Sequence, residues 1–398
     1  YFFGGTLMII VGIDVAKDKH DCFIVDSEGT VLFDVFTVPN TLDGFNILLD
    51  NIKSVSDDSD IIKVGLEATG HYSYNLLGFL LNNGLPTYVL NPLHTNLYRK
   101  SLTLRKTKTD KVDARMIASM LMSCVDLKPY TSTLYQNEEL KSMTRYRFDK
   151  VSERARLKTS VSRLVTILFP ELEKLVPTLH MKSIYALLSE FPSAQKIAQA
   201  HLTRLTNLLS QVSKGRYGRD KAVQIRDAAR RSIGSVMPAK SMELRHTIKL
   251  IADITEQIDE VEAEIKKLVD ASGTTLMTVP GLSYATVAVI LAEVGDFSNF
   301  ATPDKVLAFA GMSPSTYQSG QLTNCYARME KRGSKYLRYA LYNAAKYVCT
   351  WDKTFADYLA KKRAEGKHYN VALSHAVKKL VRLIFALEKT HLPYQPAV

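Results

Sequence analysis

The strongest constraint on the fold is a change of hydrophobic period within the first ninety residues. MIIVGIDVA, DCFIVD and TVLFDVFTV (within 8–37) are β-branched runs, the last two separated by a Ser27-Glu28-Gly29 turn, and they predict an antiparallel meander. The period then turns helical over roughly 41–54, where Phe45, Leu48, Leu49 and Ile52 share one face. IIKVGLE (61–67) reads as a buried strand, SYNLLGFLLNNG (73–84) as a helix ending at a glycine, and LPTYVL (85–90) as another strand. The order βββαβαβ, followed by a helix, predicts an α/β domain built on a mixed sheet.

Beyond Glu138 the pattern is mainly helical. Residues 138–168 are basic and amphipathic and close at Pro170; 171–243 is mixed, with SKGRYGRDK (213–221) reading as an exposed loop. Leu244, Ile251, Ile254, Ile258, Val261, Ile265 and Leu268 then form a coiled-coil seam within 244–270. Its partner is either the helix near 140–168, in an intramolecular hairpin, or a second copy, and an arm of this kind commonly does both. TVPGLSYATVAVILAEVGD (278–296) is similar to a helix-hairpin-helix, in which backbone N–H groups at the glycine turn, here Gly281, hold a phosphate. Helix hairpins need glycine turns anyway, so packing is the competing reading. Helices at about 334–349 and 370–387 close the chain. The expected domains are 8–137 (mixed sheet), 138–272 (helical and coiled-coil) and 273–398 (helical, C-terminal).

Charge is divided unevenly. Residues 8–95 hold four Lys and Arg against twelve Asp and Glu, a balance of −8, which leaves +20 on the remainder of a chain whose total is +12. A basic remainder of this size suits a polyanionic partner, although a merely basic surface would look the same. The four cysteines lack CxxC or Cys/His spacing, which argues against a zinc knuckle or disulfide framework and fits a reducing cytoplasm. No apolar run reaches about 18 residues, so no membrane span is expected. YFFGGTLMII lacks the features of a signal peptide, and Met8 reads as a start immediately before a strand.

The acids carry the chemistry. Asp14 closes the first apolar strand in VGIDVAK, and Glu67 closes the fourth in KVGLEATG. Each is costly to bury unless a cation meets it, and parallel neighbouring strands would bring the two together at one sheet edge. Asp110 and Asp113 open a helix one turn apart, inside the basic run SLTLRKTKTDKVDARM. Taken alone, that pair is ordinary first-turn chemistry facing the helix dipole. All four together are the arrangement of a ribonuclease-H-like sheet. Clustered carboxylates stay ionised only if cations intervene, and hard oxygen donors suit Mg²⁺ or Mn²⁺. Lys106, Lys108, Lys111 and Arg115 would then neutralise phosphates rather than the acids.

With GIDVAK, LEATGHY and KTDKVDA in this order, the chain resembles the DEDD-type insertion-sequence transposases, described as bridge-RNA-guided recombinases. TVPGLSYATVAVILAEVGD, LAFAGMSPSTYQSG and KRGSKYLRYAL are similar to that family's C-terminal transposase region, so the resemblance runs from about Met8 to about Phe385. It implies a RuvC-like ribonuclease-H domain, a coiled-coil helical arm and a helical C-terminal domain with a helix-hairpin-helix-like motif. By motif position the metal-binding tetrad falls on Asp14, Glu67, Asp110 and Asp113, and the serine nucleophile on Ser319 in YQSG. Some relatives carry two serines before the glycine; here Gln318 takes the first place, with Ser313 and Ser315 as alternatives. Arg328, Lys331, Arg332, Lys335 and Arg338 are candidate phosphate contacts, with a solvated helix face as the alternative. The resemblance further implies target and donor DNA, a structured guide RNA, dimers that pair into tetramers with a site completed across protomers, and a bacterial cytoplasmic, nucleoid-associated setting. Two rival readings remain: a junction-cutting nuclease that uses the same acids with water, and a non-catalytic nucleic-acid-binding assembly protein.

Overall fold

Three strands, β1 (Ile9–Val15), β2 (Lys19–Asp26) and β3 (Val31–Pro39), pair in sequence as the antiparallel meander, with Ile9 opposite Asp26 and Val15 opposite His20. The computed structural model describes residues 7–67, 70–102, 110–124, 127–130, 132–314, 318–319, 322–323 and 329–396. It divides into two compact units, Tyr1–Glu138 and Glu139–Val398.

In the first unit, α1 (Leu42–Val55) starts where Thr41 accepts a hydrogen bond from the Gly44 amide, and it buries Phe45, Leu48, Leu49 and Ile52. There follow β4 (Ile62–Glu67), α2 (Tyr74–Asn82), β5 (Thr87–Leu90), α3 (Pro92–Leu102) and α4 (Asp110–Ser123). The sheet order is β3-β2-β1-β4-β5, antiparallel among the first three strands and parallel for β1–β4 and β4–β5. This is the mixed α/β sheet expected. Helices cover both faces. Val11, Ile13, Cys22 and Ile24 pack with Phe45, Leu48, Leu76 and Leu80 on one side. Ile10, Phe23, Val25 and Tyr88 pack with Ala114, Ala118 and Leu121 of α4 on the other. A strand buried on both faces has no polar side, which is why β1 reads as one continuous apolar run.

The long helix α5 (Ser132–Leu168) leads into the second unit. Between it and α11 (Pro238–Ala271) lie α6 (Leu172–Leu175), α7 (Lys182–Glu190), α8 (Ala194–Gln199), α9 (Leu202–Ser213) and α10 (Arg219–Arg230). The stretch expected to be mixed therefore holds five helices, packed around Val161, Leu164, Leu168, Leu244 and Ile251. The exposed loop expected at 213–221 is shorter: α9 ends as Lys214 and Gly215 turn to positive φ, and α10 begins at Arg219.

Of the two coiled-coil arrangements expected, the intramolecular hairpin is present. Arg147 bonds Glu262 (2.7 Å), Arg154 bonds Thr255 (3.3 Å) and Arg163 bonds Glu243 (2.9 Å), so numbers rise along α5 as they fall along α11. The two helices are antiparallel, and Leu244, Ile251, Ile254, Ile258 and Ile265 of the seam are buried. The remainder comprises α12 (Tyr284–Val294), α13 (Pro303–Phe309), β6 (Gln318–Ser319), β7 (Leu322–Thr323), α14 (Lys335–Trp351), α15 (Lys353–Ala364) and α16 (Tyr369–Thr390). Buried Glu293 ties α5, α12 and α14 together, accepting from Arg145 at 2.8 and 3.1 Å and from Ser334 at 2.7 Å. Burial alone would raise its carboxyl pKa, but the Arg145 and Ser334 hydrogen bonds hold it below the usual range.

Candidate active site

Asp14 and Glu67 lie at the C-terminal ends of β1 and β4. The parallel register pairs Gly12 with Gly65 and Ile13 with Leu66, so the next step sets Asp14 beside Glu67, about one strand spacing (~4.8 Å) apart. Side-chain alternation puts both on the face that α4 covers, the face of Gly12 and Gly65. The two glycines explain how closely that helix lies. A Cβ on Gly12 would stand 2.2 Å from the Ala114 carbonyl oxygen, and one on Gly65 would stand 2.3 Å from Leu121 Cδ1.

Helix α3 connects two of the acids. Thr95 Oγ1 donates to Glu67 Oε1 at 2.9 Å, and four residues on, Arg99 Nη2 stands 2.9 Å from Asp113 Oδ1. Residues four apart share a helix face, so Glu67 and Asp113 meet one side of α3 one turn apart. Thr95 and Asp113 are buried. The Arg99–Asp113 pair is an attraction of charges rather than an aligned hydrogen bond: Asp113 Oδ1 and Arg99 Nε are both buried without a hydrogen-bond partner. Asp110 occupies the first turn of α4, and its side chain lies outside the described residues.

This donor set fits a hard divalent cation. It consists of carboxylates, and it includes a buried carboxylate oxygen that lacks a hydrogen bond. In the conformation seen here the Arg99 guanidinium stands beside Asp113, and among the described residues no three His, Cys, Asp or Glu side chains close around an ion. A further acid escaped the sequence reading: Asp21 on β2 pairs opposite Asp14 and accepts from Thr37. Thr95 and Arg99 were missed as well, although their i, i+4 spacing after an Asn-Pro helix start was legible.

Ser319 belongs to the second unit, on β6, where it pairs opposite Leu322 of β7. Its side chain lies outside the described residues, as do Ser315 and Tyr317. Ser313 is half-buried, and its carbonyl accepts from the Glu330 amide at 3.1 Å. Cysteine offers no rival nucleophile at Cys22 or Cys349. Burial pushes both thiols up, that of Cys349 to about 11.

The basic residues differ in what they touch. Lys106, Lys108 and Arg328 lie outside the described residues, as does the side chain of Lys111. Arg115 ion-pairs with Asp34 and lies 5.4 Å over the Phe23 ring. Arg338 donates to the Ala310 carbonyl (3.0 Å) and the Lys331 carbonyl (3.4 Å), bracing the loop before α14. Lys331, Arg332 and Lys335 are exposed. Gly281 is required on two grounds: its φ is +91°, and a Cβ would come within 2.7 Å of the Tyr347 carbonyl. The glycine turn therefore has the packing role that the sequence left open beside phosphate binding.

Two family models match the chain. One, for DEDD transposases of the IS110 type and described as Transposase, matches residues 11–170; the other, described as Transposase IS116/IS110/IS902 family, matches residues 273–360. The chain is similar to the insertion element IS116 uncharacterized 44.8 kDa protein of Streptomyces clavuligerus, at 24% identity over 98% of this chain and 96% of that protein. It is similar to the mini-circle putative transposase for IS117 of Streptomyces coelicolor, at 25% identity over 79% and 78%. It is also similar to the pilin gene-inverting protein of Moraxella bovis, at 22% identity over 98% of each. Among solved structures, T. thermophilus RuvC in complex with Holliday junction substrate matches at 15% identity and a TM-score of 0.23, covering 31% of this chain and 99% of that one.

Proposed function

The chain belongs to the IS116/IS110/IS902 family of transposases, and from that premise we propose that it cuts and rejoins DNA to move its own mobile element, guided by a structured RNA. In this reading Asp14, Glu67, Asp110 and Asp113 of a RuvC-like domain hold Mg²⁺ or Mn²⁺, and Ser319 is the nucleophile. The observation that carries it is the meeting of carboxylates at one sheet edge, with Asp14 beside Glu67 in register and Asp113 one turn of α3 from Glu67. Such a cluster calls for a cation.

When bound, the cation stabilises negative charge on the phosphate and favours loss of the serine proton. Ser319 Oγ attacks phosphorus, and the displaced strand oxygen leaves carrying the proton that Oγ gives up. The resulting phosphoserine ester has about the energy of the bond broken. A hydroxyl on an incoming strand can therefore displace Ser319, which takes back a proton, and the link re-forms without ATP. Exposed Lys331, Arg332 and Lys335 are the better phosphate contacts; Arg115 and Arg338 are turned toward protein partners. We assign the acids and the serine acting on one phosphate to different protomers of a dimer that pairs into a tetramer. No helix among the described residues is long and apolar enough to cross a membrane.

The test begins with the RNA that stays bound through a high-salt wash when the protein is expressed with its flanking DNA. A single structured species is expected, and its loops define the DNA duplexes to supply. With those duplexes a covalent protein–DNA adduct should survive denaturing electrophoresis and vanish in Ser319→Ala and Asp14→Asn. Cutting to free ends by Ser319→Ala would replace this scheme with a junction nuclease that uses water. Unchanged transposition in cells carrying Asp14→Asn or Glu67→Gln would reduce the acids to ion pairs and the protein to an assembly factor.

A further inference from the structure

Helix α14 turns an unusual face to solvent. Tyr339, Tyr347 and Trp351 are 57%, 58% and 70% exposed, and their spacings of eight and four residues set them along one side of the helix. Soluble chains seldom leave three large aromatic side chains on one helical stripe without a partner. Alongside runs a groove of about 400 Å³ between α5, α12 and α14, lined by Phe148, Thr286, Tyr336, Tyr339, Asn343 and Tyr347 among others. The rings at its upper end are braced: Phe148 meets Tyr336 and Tyr339 edge-on, with centroids 5.1 and 5.3 Å away. Of the three exposed rings Tyr339 is held in this way, and a ring already in place loses little freedom when something stacks on it.

The charge around this stripe is mostly positive, with Glu330 exposed beside Lys331 and Asp352 buried as the cap of α15 next to Trp351. Helix α14 contains no Asp or Glu and carries Lys335, Arg338 and Lys346, with exposed Lys331 and Arg332 just before it. No carboxylate lines the groove, and its one charged lining residue is Arg147, whose guanidinium is paired with Glu262. Lys335 lies 4.9 Å from the Tyr336 ring centroid, and Arg145, at 4.8 Å, is already paired with Glu293. A partner that matches exposed aromatic faces and a cationic surround is a polyanion with flat apolar faces of its own.

We propose that the α14 stripe is a stacking surface for unpaired nucleotides, with bases laid on Tyr339, Tyr347 and Trp351 and backbone phosphates met by Lys331, Arg332, Lys335 and Lys346. Duplexes hide their base faces, so the surface selects single-stranded segments over paired ones, whether of RNA or of melted DNA. The inference rests on the proposed nucleic-acid function but uses neither the acids nor Ser319.

Trp351 is the only tryptophan in the chain, so its fluorescence reports on the stripe directly. The full-length protein in EDTA would be titrated with a 20-nucleotide oligo-dT, an oligo-U of the same length and a blunt duplex. Single strands should quench Trp351 and bind at least about tenfold more tightly than the duplex measured at the same salt. Whichever strand binds more tightly identifies the source. Tyr347→Ala should weaken single-strand binding about tenfold, and Tyr347→Phe should restore it, since stacking needs the ring and not the hydroxyl. Saturating single strands that leave Trp351 unquenched, or equal affinities for wild type and Tyr347→Ala, would overturn the proposal. So would quenching that follows protein concentration without nucleic acid, which would make the stripe a contact between copies. With cations chelated no cleavage is read, so failure of the recombination scheme and failure of this surface remain distinguishable.

Discussion

Replacing Gly12 with alanine puts a methyl group where β1 and α4 touch. The new Cβ would stand 2.2 Å from the Ala114 carbonyl oxygen, 2.7 Å from the Ala118 nitrogen and 3.0 Å from the Ala118 Cβ. Close carbon–oxygen contacts lie at about 3.3 Å or beyond, so the helix has to retreat by roughly 1 Å. The nearest two obstacles are backbone, so no rotamer change relieves them. Overpacking of this kind costs about 1–3 kcal/mol, and the upper half of that range applies here. Gly65→Ala supplies the internal control. Its Cβ meets side-chain atoms only, Leu121 Cδ1 at 2.3 Å, Leu121 Cγ at 2.9 Å and Ile117 Cγ2 at 3.2 Å, which shift more readily than backbone, so the lower end of that range, about 1 kcal/mol, is expected. Thermal unfolding followed by circular dichroism should show Gly12→Ala lowering the transition by roughly 5–10 °C and Gly65→Ala by about 2–4 °C. Because the first turn of α4 carries Asp110 and Asp113, Gly12→Ala should also weaken Mn²⁺ binding about tenfold by calorimetry. A Gly12→Ala protein within 1 °C of wild type and with unchanged Mn²⁺ affinity would refute the claim that this close approach positions the acids.

Three further predictions concern Arg99, Glu293 and the division of the site between protomers. Arg99→Ala removes the cation beside Asp113, whose side chain is 6% exposed, and should cost about 2–3 kcal/mol of stability in EDTA. Added Mn²⁺ should restore that stability and bind more tightly than to wild type, because its internal competitor is gone; tighter binding to wild type would show that Arg99 orders the site instead. Glu293→Gln should cost about 1–2 kcal/mol, since Arg145 at 41% side-chain exposure keeps part of its hydration. The Glu293 carboxyl is held below its ordinary value of 4.5, so its contribution is complete above that pH and is lost as pH falls through the folded-state value. Unfolding titrations from pH 7 to pH 3 should therefore run flatter for the glutamine variant, and parallel curves would contradict the assignment. Finally, mixing inactive Ser319→Ala with inactive Asp14→Asn should recover strand exchange if acids and serine come from different protomers. Continued inactivity in co-purified mixed oligomers would place both in one chain.

Some of this was legible along the chain and some was not, and the boundary follows the range of the interactions. The four apolar residues of α1 and the buried positions of the α11 seam repeat every three or four residues, so a short window contains the whole signal. Helix α3 was legible only as an unspecified helix after β5. Its importance lies in what Thr95 and Arg99 reach, 28 residues back at Glu67 and 14 residues on at Asp113, and no local period records that. The basic residues make the same point. Arg115 and Arg338 were candidate phosphate contacts by charge alone, and one turns to Asp34 while the other braces the turn before α14.

The sequence by itself determined the order of strands and helices, the cost of burying Asp14 and Glu67 at the ends of apolar strands, the first-turn position of Asp110 and Asp113, and the sign of the charge beyond the first ninety residues. Those are properties of neighbouring residues, decided by sterics, hydrophobic period and desolvation. Tertiary structure decided the rest. The parallel register of β1 with β4 set Asp14 beside Glu67, and the bare backbone of Gly12 let α4 come down on the sheet. The direction of α11 against α5 made the heptad an antiparallel hairpin within one chain. Each depends on pairing segments far apart in sequence. The free energy that selects one pairing is summed over a whole packed layer and is visible at no single residue within it.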